Sequence, residues 1–255
     1  MNSIQKIFQK KDKNILSIYF TSGFPELKDT TKVIQQLSAS GVDFIEVGLP
    51  YSDPLADGPT IQDSSQKALK NGINLDIVFD QLMEIKETNT TPLILMGYLN
   101  QVLKYGEEKF CERVVECGID TVILPDLPMV EYEHHYKDLF DKYGINNVFL
   151  ITPLTSEERI RKIDSYTQSF IYMVASSSIT GAKGEISQQQ IDYFERIKAM
   201  NLKSKCIIGF GISNHQTFST ACEYGNGAII GSAFIRFLEQ NGVAKIPEFI
   251  QSIQC

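Results

Sequence analysis

Two carboxylates stand eleven residues apart in one short stretch of the chain. Glu46 lies within the apolar run FIEVGL (44–49), and Asp57 follows in the proline- and glycine-stiffened segment PYSDPLADGP (50–59). Burying even a neutral polar group without a partner costs about 2–7 kcal/mol, and burying a charge costs more. A carboxyl inside a strand is therefore either paired with a cation or kept there for proton transfer. None of the apolar runs carries a lysine or arginine, so Glu46 reads as an acid–base group. Strand alternation puts Phe44, Glu46 and Gly48 on one face and Ile45, Val47 and Leu49 on the other. The aliphatic set suits a layer of covering helices, which turns Glu46 inward near the carboxyl end of its strand. For Asp57 the local residues leave two roles open. Asp-Gly-Pro is ordinary turn chemistry, with the aspartate bonding its own backbone; the same carboxylate could instead join Glu46 in a site.

A second kind of chemistry is written in glycines. GFGIS (209–213) and GSAF (231–234) each close an apolar run, and ITG (179–181) follows a third. Backbone N–H groups at such turns, with a helix N-terminus and the hydroxyl of Ser232, can hold a phosphate without lysine or arginine. The same glycines could simply permit tight strand-to-helix turns. No Walker lysine motif and no GxGxxG occurs, so a nucleotide or dinucleotide site has no support. His134 and His135 are adjacent and His215 is distant, so none has metal-ligand spacing. Lys183 sits in a polar loop rather than a strand, unlike a desolvated Schiff-base lysine. Ser176, Ser177 and Ser178 lack a nucleophile elbow.

The elements that must position these groups follow a regular alternation. Eight apolar runs begin at Ile15, Phe44, Pro92, Asp120, Asn147, Phe170, Cys206 and Gly227. Amphipathic patterns lie between them: Leu75, Val78, Leu82 and Ile85 behind an Asn74 cap; Ile191, Phe194 and Ile197; and Ile246, Phe249, Ile250 and Ile253. Near-continuous apolar strands alternating with helices describe parallel strands covered by helices. At 255 residues the expectation is one α/β domain over 1–255, a (β/α)8 TIM barrel, with a doubly wound open sheet as the competing architecture. An extra N-terminal helix is expected around Ile4, Ile7 and Phe8. Strand spacing is longest after strands 2 and 6, which predicts extended loops there, at the face where barrel active sites sit.

Composition narrows the partners. The net charge is −7 and no basic run appears, so nucleic acid is not expected. No run reaches transmembrane length and the N-terminus has no signal-peptide core, so neither membrane nor export is expected. Five cysteines without a CxxC pair suit reduced thiols in the cytoplasm, or in an organelle stroma.

Taken in order, TSGFP (21–25), the segment 46–62, LMGYLN (95–100), PDLP (125–128), SITG (178–181) and GFGIS resemble the tryptophan synthase alpha chain family across nearly the whole chain. The resemblance implies a lyase that cleaves indole-3-glycerol phosphate to indole and glyceraldehyde 3-phosphate by a retro-aldol step, without metal or organic cofactor in this chain. It implies a tryptophan synthase beta chain as partner, in an alpha-beta-beta-alpha heterotetramer, with pyridoxal phosphate only in that partner. It makes Glu46 the general acid–base and Asp57 the group that holds the indole N–H. Tyr19, Met96, Tyr98 and Tyr172 match the indole pocket, and Thr180 matches a lid residue. Gly181, Phe210, Gly211, Gly231 and Ser232 match the phosphate cradle. Pro50, Asp53, Pro54 and Asn100 match the surface that faces the partner. One departure stands in the lid, where Ser178 replaces the family's usual first glycine. Two alternatives remain: a non-catalytic alpha-like subunit that only activates a beta chain, which loss of Glu46 or Asp57 would signal, and another phosphate-binding barrel of tryptophan biosynthesis, which generally needs a lysine borne on a strand.

Overall fold

The computed structural model describes residues 1–175, 186–209 and 211–254. Eight strands form a closed, all-parallel barrel in sequence order: β1 (Ile15–Thr21), β2 (Phe44–Gly48), β3 (Leu93–Met96), β4 (Thr121–Ile123), β5 (Asn146–Ile151), β6 (Phe170–Val174), β7 (Lys205–Gly209) and β8 (Gly227–Ile230), with β8 pairing back onto β1. All but β3, which reads LILM, are rich in β-branched or aromatic residues, which pack well on a pleated surface. Closure removes every sheet edge, and the open sheet is thereby excluded.

Alternation along the strands divides the core in two. Leu16, Ile18 and Phe20 of β1, with Ile45 and Val47 of β2, join the large apolar layer between strands and helices. Ile15, Tyr19, Phe44, Ile94, Phe170 and Ile207 form a second cluster inside the barrel. The expected N-terminal helix is Ser3–Lys10, and its Ile4 belongs to that inner cluster, with Ile7 and Phe8 against it. It therefore covers the amino end of the barrel, a task its amphipathic pattern did not specify. Asp120 fixes it, accepting from the Ser3 N–H at 2.6 Å and the Ser3 hydroxyl at 2.7 Å.

The Asn74 cap is present, its side chain accepting from the Ile77 N–H ahead of the helix Leu75–Ile85. The extra chain after β2 is a loop followed by an additional helix, Pro59–Lys70, so two helices separate β2 from β3. The long segment after β6 falls largely on residues 176–185, outside the described residues. One expectation needs correction: a strand does carry a cation. β7 opens at Lys205, one residue ahead of the apolar run, because backbone pairing with Phe170 extends it. Its ammonium pairs with Asp12 at the amino end of the barrel, so it cannot serve Glu46.

Candidate active site

A cavity of about 640 Å³ opens at the carboxyl ends of the strands. Its walls come from distant parts of the sequence: Tyr19 from β1, Asp57 and Ile61 from the segment after β2, Met96 from β3, Tyr172 from β6, and the turns after β7 and β8. A second cavity, of about 670 Å³, lies at the amino end beside the N-terminal helix and gathers none of the candidate site residues.

Glu46 is fully buried and points into the barrel, as alternation requires. It faces Tyr19 across the β1–β2 pairing. Tyr19 lines the cavity, whereas Glu46 lies beneath its surface. The Ser17 hydroxyl, from the same inner face of β1, donates to Glu46 Oε1 at 3.4 Å. Oε2 has no hydrogen-bond partner among the described residues. Burial with so little compensation pushes the carboxyl up to about 8. At neutral pH Glu46 is therefore mostly protonated.

Asp57 is held otherwise. The loop 49–58 carries it to the cavity wall, and Pro59 then starts the following helix at a position where its missing N–H costs nothing. Its Oδ2 accepts from the Tyr98 hydroxyl at 2.9 Å, and that hydroxyl accepts from the Ala56 N–H at 3.0 Å. The carboxylate is thus committed to a tyrosine on a different loop and not to its own turn. Burial raises it to about 6, against the Tyr98 bond that lowers it. It remains mostly ionised at neutral pH.

Two glycines make room for the tyrosines. A Cβ on Gly48 would stand 2.2 Å from the Tyr19 hydroxyl, and one on Gly209 would stand 2.2 Å from the Tyr172 hydroxyl. Both positions forbid any side chain while those rings hold their places. Burial raises both phenols well above their ordinary range, and the nearby Asp57 and Glu46 carboxylates push the same way.

The glycine-rich end of the cavity is built by the turns after β7 and β8. Gly211 (φ +82°), Gly231 and Ser232 line it together. Ser232 opens the helix Ser232–Asn241, so free N–H groups of its first turn face this end. Thr180, Gly181 and Phe210, the remaining members of the expected lid and cradle, lie outside the described residues. Of the expected partner-facing set, Pro50, Asp53 and Asn100 line a separate groove of about 460 Å³, while Pro54 is buried. Tyr51 ties this groove to the site: it accepts from the Asn100 amide at 3.0 Å and stacks on Tyr98 with ring centroids 5.1 Å apart.

Sequence reasoning missed Ser17, the Tyr98–Asp57 bond and Arg236, which also lines the cavity. Ser17 shares a strand face with Tyr19, and Arg236 falls four residues past Ser232, so spacing could have flagged both. Tyr98 could not have been paired with Asp57 from spacing, since they lie 41 residues apart. Among the described residues no group of three histidine, cysteine or acidic side chains could hold a metal ion, and no helix is long and apolar enough to cross a membrane.

Comparison with known proteins bears on this geometry. A family model described as tryptophan synthase alpha chain matches residues 5–253. A Flavobacterium johnsoniae protein of that description is 56% identical over 254 residues, covering 100% of both chains. One from Flavobacterium psychrophilum is 55% identical over 253 residues, covering 99% of this chain and 100% of the relative. Among solved structures, the tryptophan synthase subunit alpha of Legionella pneumophila superposes with a TM-score of 0.90 at 31% identity, covering 100% of this chain and 97% of that one. The tryptophan synthase A-subunit of Pyrococcus furiosus gives 0.86, also at 31%, covering 95% and 98%.

Proposed function

The chain belongs to the tryptophan synthase alpha chain family, and from that premise we propose that it is a carbon–carbon lyase acting on indole-3-glycerol phosphate, with Glu46 and Asp57 as its catalytic groups. One observation carries the reading: Glu46 is buried inside the barrel with one oxygen unpartnered among the described residues, beneath a cavity whose wall holds Asp57 on the Tyr98 hydroxyl, and burial pushes the two carboxyls up to about 8 and about 6.

The reaction needs one acid and one fixed negative charge. Glu46 delivers its proton to indole C3, and the ring becomes an indolenine-like cation. Asp57 accepts the indole N–H and stabilises that positive charge. The Glu46 carboxylate then takes the proton from the hydroxyl of the adjoining carbon. The carbonyl of glyceraldehyde 3-phosphate forms, the carbon–carbon bond breaks, and its electrons return to the ring as indole leaves. Glu46 ends the cycle protonated, as it began. Its unpartnered oxygen suits it to a substrate contact that the protein does not satisfy. Positioned proton transfer contributes about 10²–10⁴ in rate, and a preorganised charge facing the developing cation adds a comparable electrostatic contribution.

Tyr19, Met96 and Tyr172 bound the indole, with Tyr98 holding Asp57 toward it. Gly211, Gly231 and Ser232 hold the phosphate, together with Gly181 and Phe210, and Thr180 belongs to the lid. The groove at Pro50, Asp53 and Asn100 receives the beta chain in an alpha-beta-beta-alpha assembly, with Pro54 shaping the loop from within. Leu55 beside it is 96% exposed, an apolar side chain suited to burial by a partner. Pyridoxal phosphate belongs to that partner. We place the protein in the cytoplasm, which suits cysteines 111, 117, 206 and 222, all free thiols.

The deciding experiment is release of indole from indole-3-glycerol phosphate by the purified protein, alone and with a beta chain. Indole in either case supports the lyase. Absence of indole in both refutes it and favours a subunit that only activates its partner.

A further inference from the structure

Arg236 is the one lysine or arginine among the described residues lining the cavity, and we infer that its guanidinium contacts the substrate's phosphate directly, leaving Thr60 to do so. The inference rests on the lyase reading above. Arg236 lies four residues past Ser232 on the helix Ser232–Asn241, so the two share a face. Helical side chains lean back toward the helix N-terminus. The guanidinium is thereby carried toward Gly231 and Ser232, where the first-turn N–H groups are free.

Charge balance calls for such a contact. A phosphate monoester brings a charge of about −1.5 to −2 at neutral pH, whereas a helix N-terminus supplies roughly +0.5. Ionised Asp57 lines the same cavity and repels the newcomer. A backbone cradle alone leaves most of that charge uncompensated. Arg236 is also uncommitted: among the described residues it forms no ion pair, and its hydrogen bond runs from Nη1 to the Thr60 hydroxyl at 3.2 Å. Thr60 is a neutral acceptor on the first turn of the neighbouring helix Pro59–Lys70. The Arg236–Thr60 bond has a charged donor but one neutral acceptor, whereas a phosphate brings an opposite charge and accepts two parallel guanidinium N–H bonds. A phosphate at Ser232 outcompetes the hydroxyl.

The test measures binding of glycerol 3-phosphate and of indole to the full chain by calorimetry, alongside indole release. Arg236→Gln should weaken glycerol 3-phosphate by about tenfold to a hundredfold, the range for a hydrogen bond to a charged group. Indole affinity should hold, KM should rise more than kcat falls, and the salt dependence of phosphate binding should flatten. Arg236→Lys should recover part of the loss. Thr60→Val removes the resting bond and should keep or tighten phosphate affinity. Native affinity in Arg236→Gln overturns the inference. So do equal losses in Arg236→Gln and Thr60→Val, which would make the pair a structural clamp. If the native chain neither cleaves the substrate nor binds glycerol 3-phosphate, the lyase reading and this inference fall together. If it binds in an Arg236-dependent way without cleavage, the lyase reading alone falls.

Discussion

Replacing Tyr98 by phenylalanine should move one limb of the pH–rate profile and leave the other. In the proposed mechanism Asp57 works ionised, so activity should be lost as pH falls through about 6. Glu46 works protonated there, so activity should be lost as pH rises through about 8. The expected native profile is a bell peaking near neutrality. The Tyr98 hydroxyl donates to Asp57 Oδ2 at 2.9 Å and favours the ionised form. A hydrogen bond to a charged group contributes about 1.5–3 kcal/mol, and about 1.4 kcal/mol corresponds to one pKa unit. Asp57 is only half-buried, which discounts the effect to about one unit. With its midpoint near 7, the ionised fraction at pH 7 falls from about nine-tenths to about half, a twofold loss. At pH 6 the fraction falls from about a half to about a tenth, a fivefold loss. Near pH 8 the two proteins should nearly agree. The assay is kcat/KM for indole release from pH 5 to pH 9. The substrate phosphate also titrates near 6, and comparison of the two proteins cancels it. An unmoved acid limb, or a uniform loss at every pH, refutes the claim that this bond tunes Asp57.

Glu46→Gln should abolish indole release while glycerol 3-phosphate still binds; near-native turnover would remove Glu46 from the mechanism. The same variant tests the cost of the buried carboxyl. Glu46 titrates near 4.5 when exposed and near 8 in the fold, so its stabilising effect is complete below about 4.5 and is lost as pH rises to about 8. By pH 7 that loss reaches roughly 3 kcal/mol at most, and Glu46→Gln should recover about 1–3 kcal/mol in denaturant unfolding; a variant no more stable at pH 7 than at pH 5, relative to native, contradicts the burial argument. Gly48→Ala should destabilise by about 1–3 kcal/mol through overpacking, because its methyl would meet the Tyr19 hydroxyl. Adding Tyr19→Phe should restore part of that loss, and additive effects in the double mutant would refute the clash.

Much of the fold was legible because its signals are local and repeated. Eight apolar runs separated by amphipathic helices leave few arrangements that bury both kinds of surface, and closure into a barrel is the one the chain adopts. The inward direction of Glu46 followed from alternation alone. The role of the helix around Ile4 did not, since its pattern reveals an apolar face and not what that face covers.

The sequence by itself determined which residue types stand at the strand ends: an acid inside a strand, an acid in a stiff loop, and glycines before the last helices. Those are properties of neighbours along the chain, and pattern and propensity read them directly. Only the tertiary structure decided that Tyr98 takes Asp57 away from its own turn, that Gly48 and Gly209 seat two tyrosine hydroxyls, and that Arg236 meets Thr60 of a distant helix. Each joins residues tens to more than a hundred positions apart, brought within a few ångströms by barrel closure. Protonation was decided there too. A glutamate titrates near 8 not because of its neighbours in sequence but because the closed barrel removes the water that would solvate its charge.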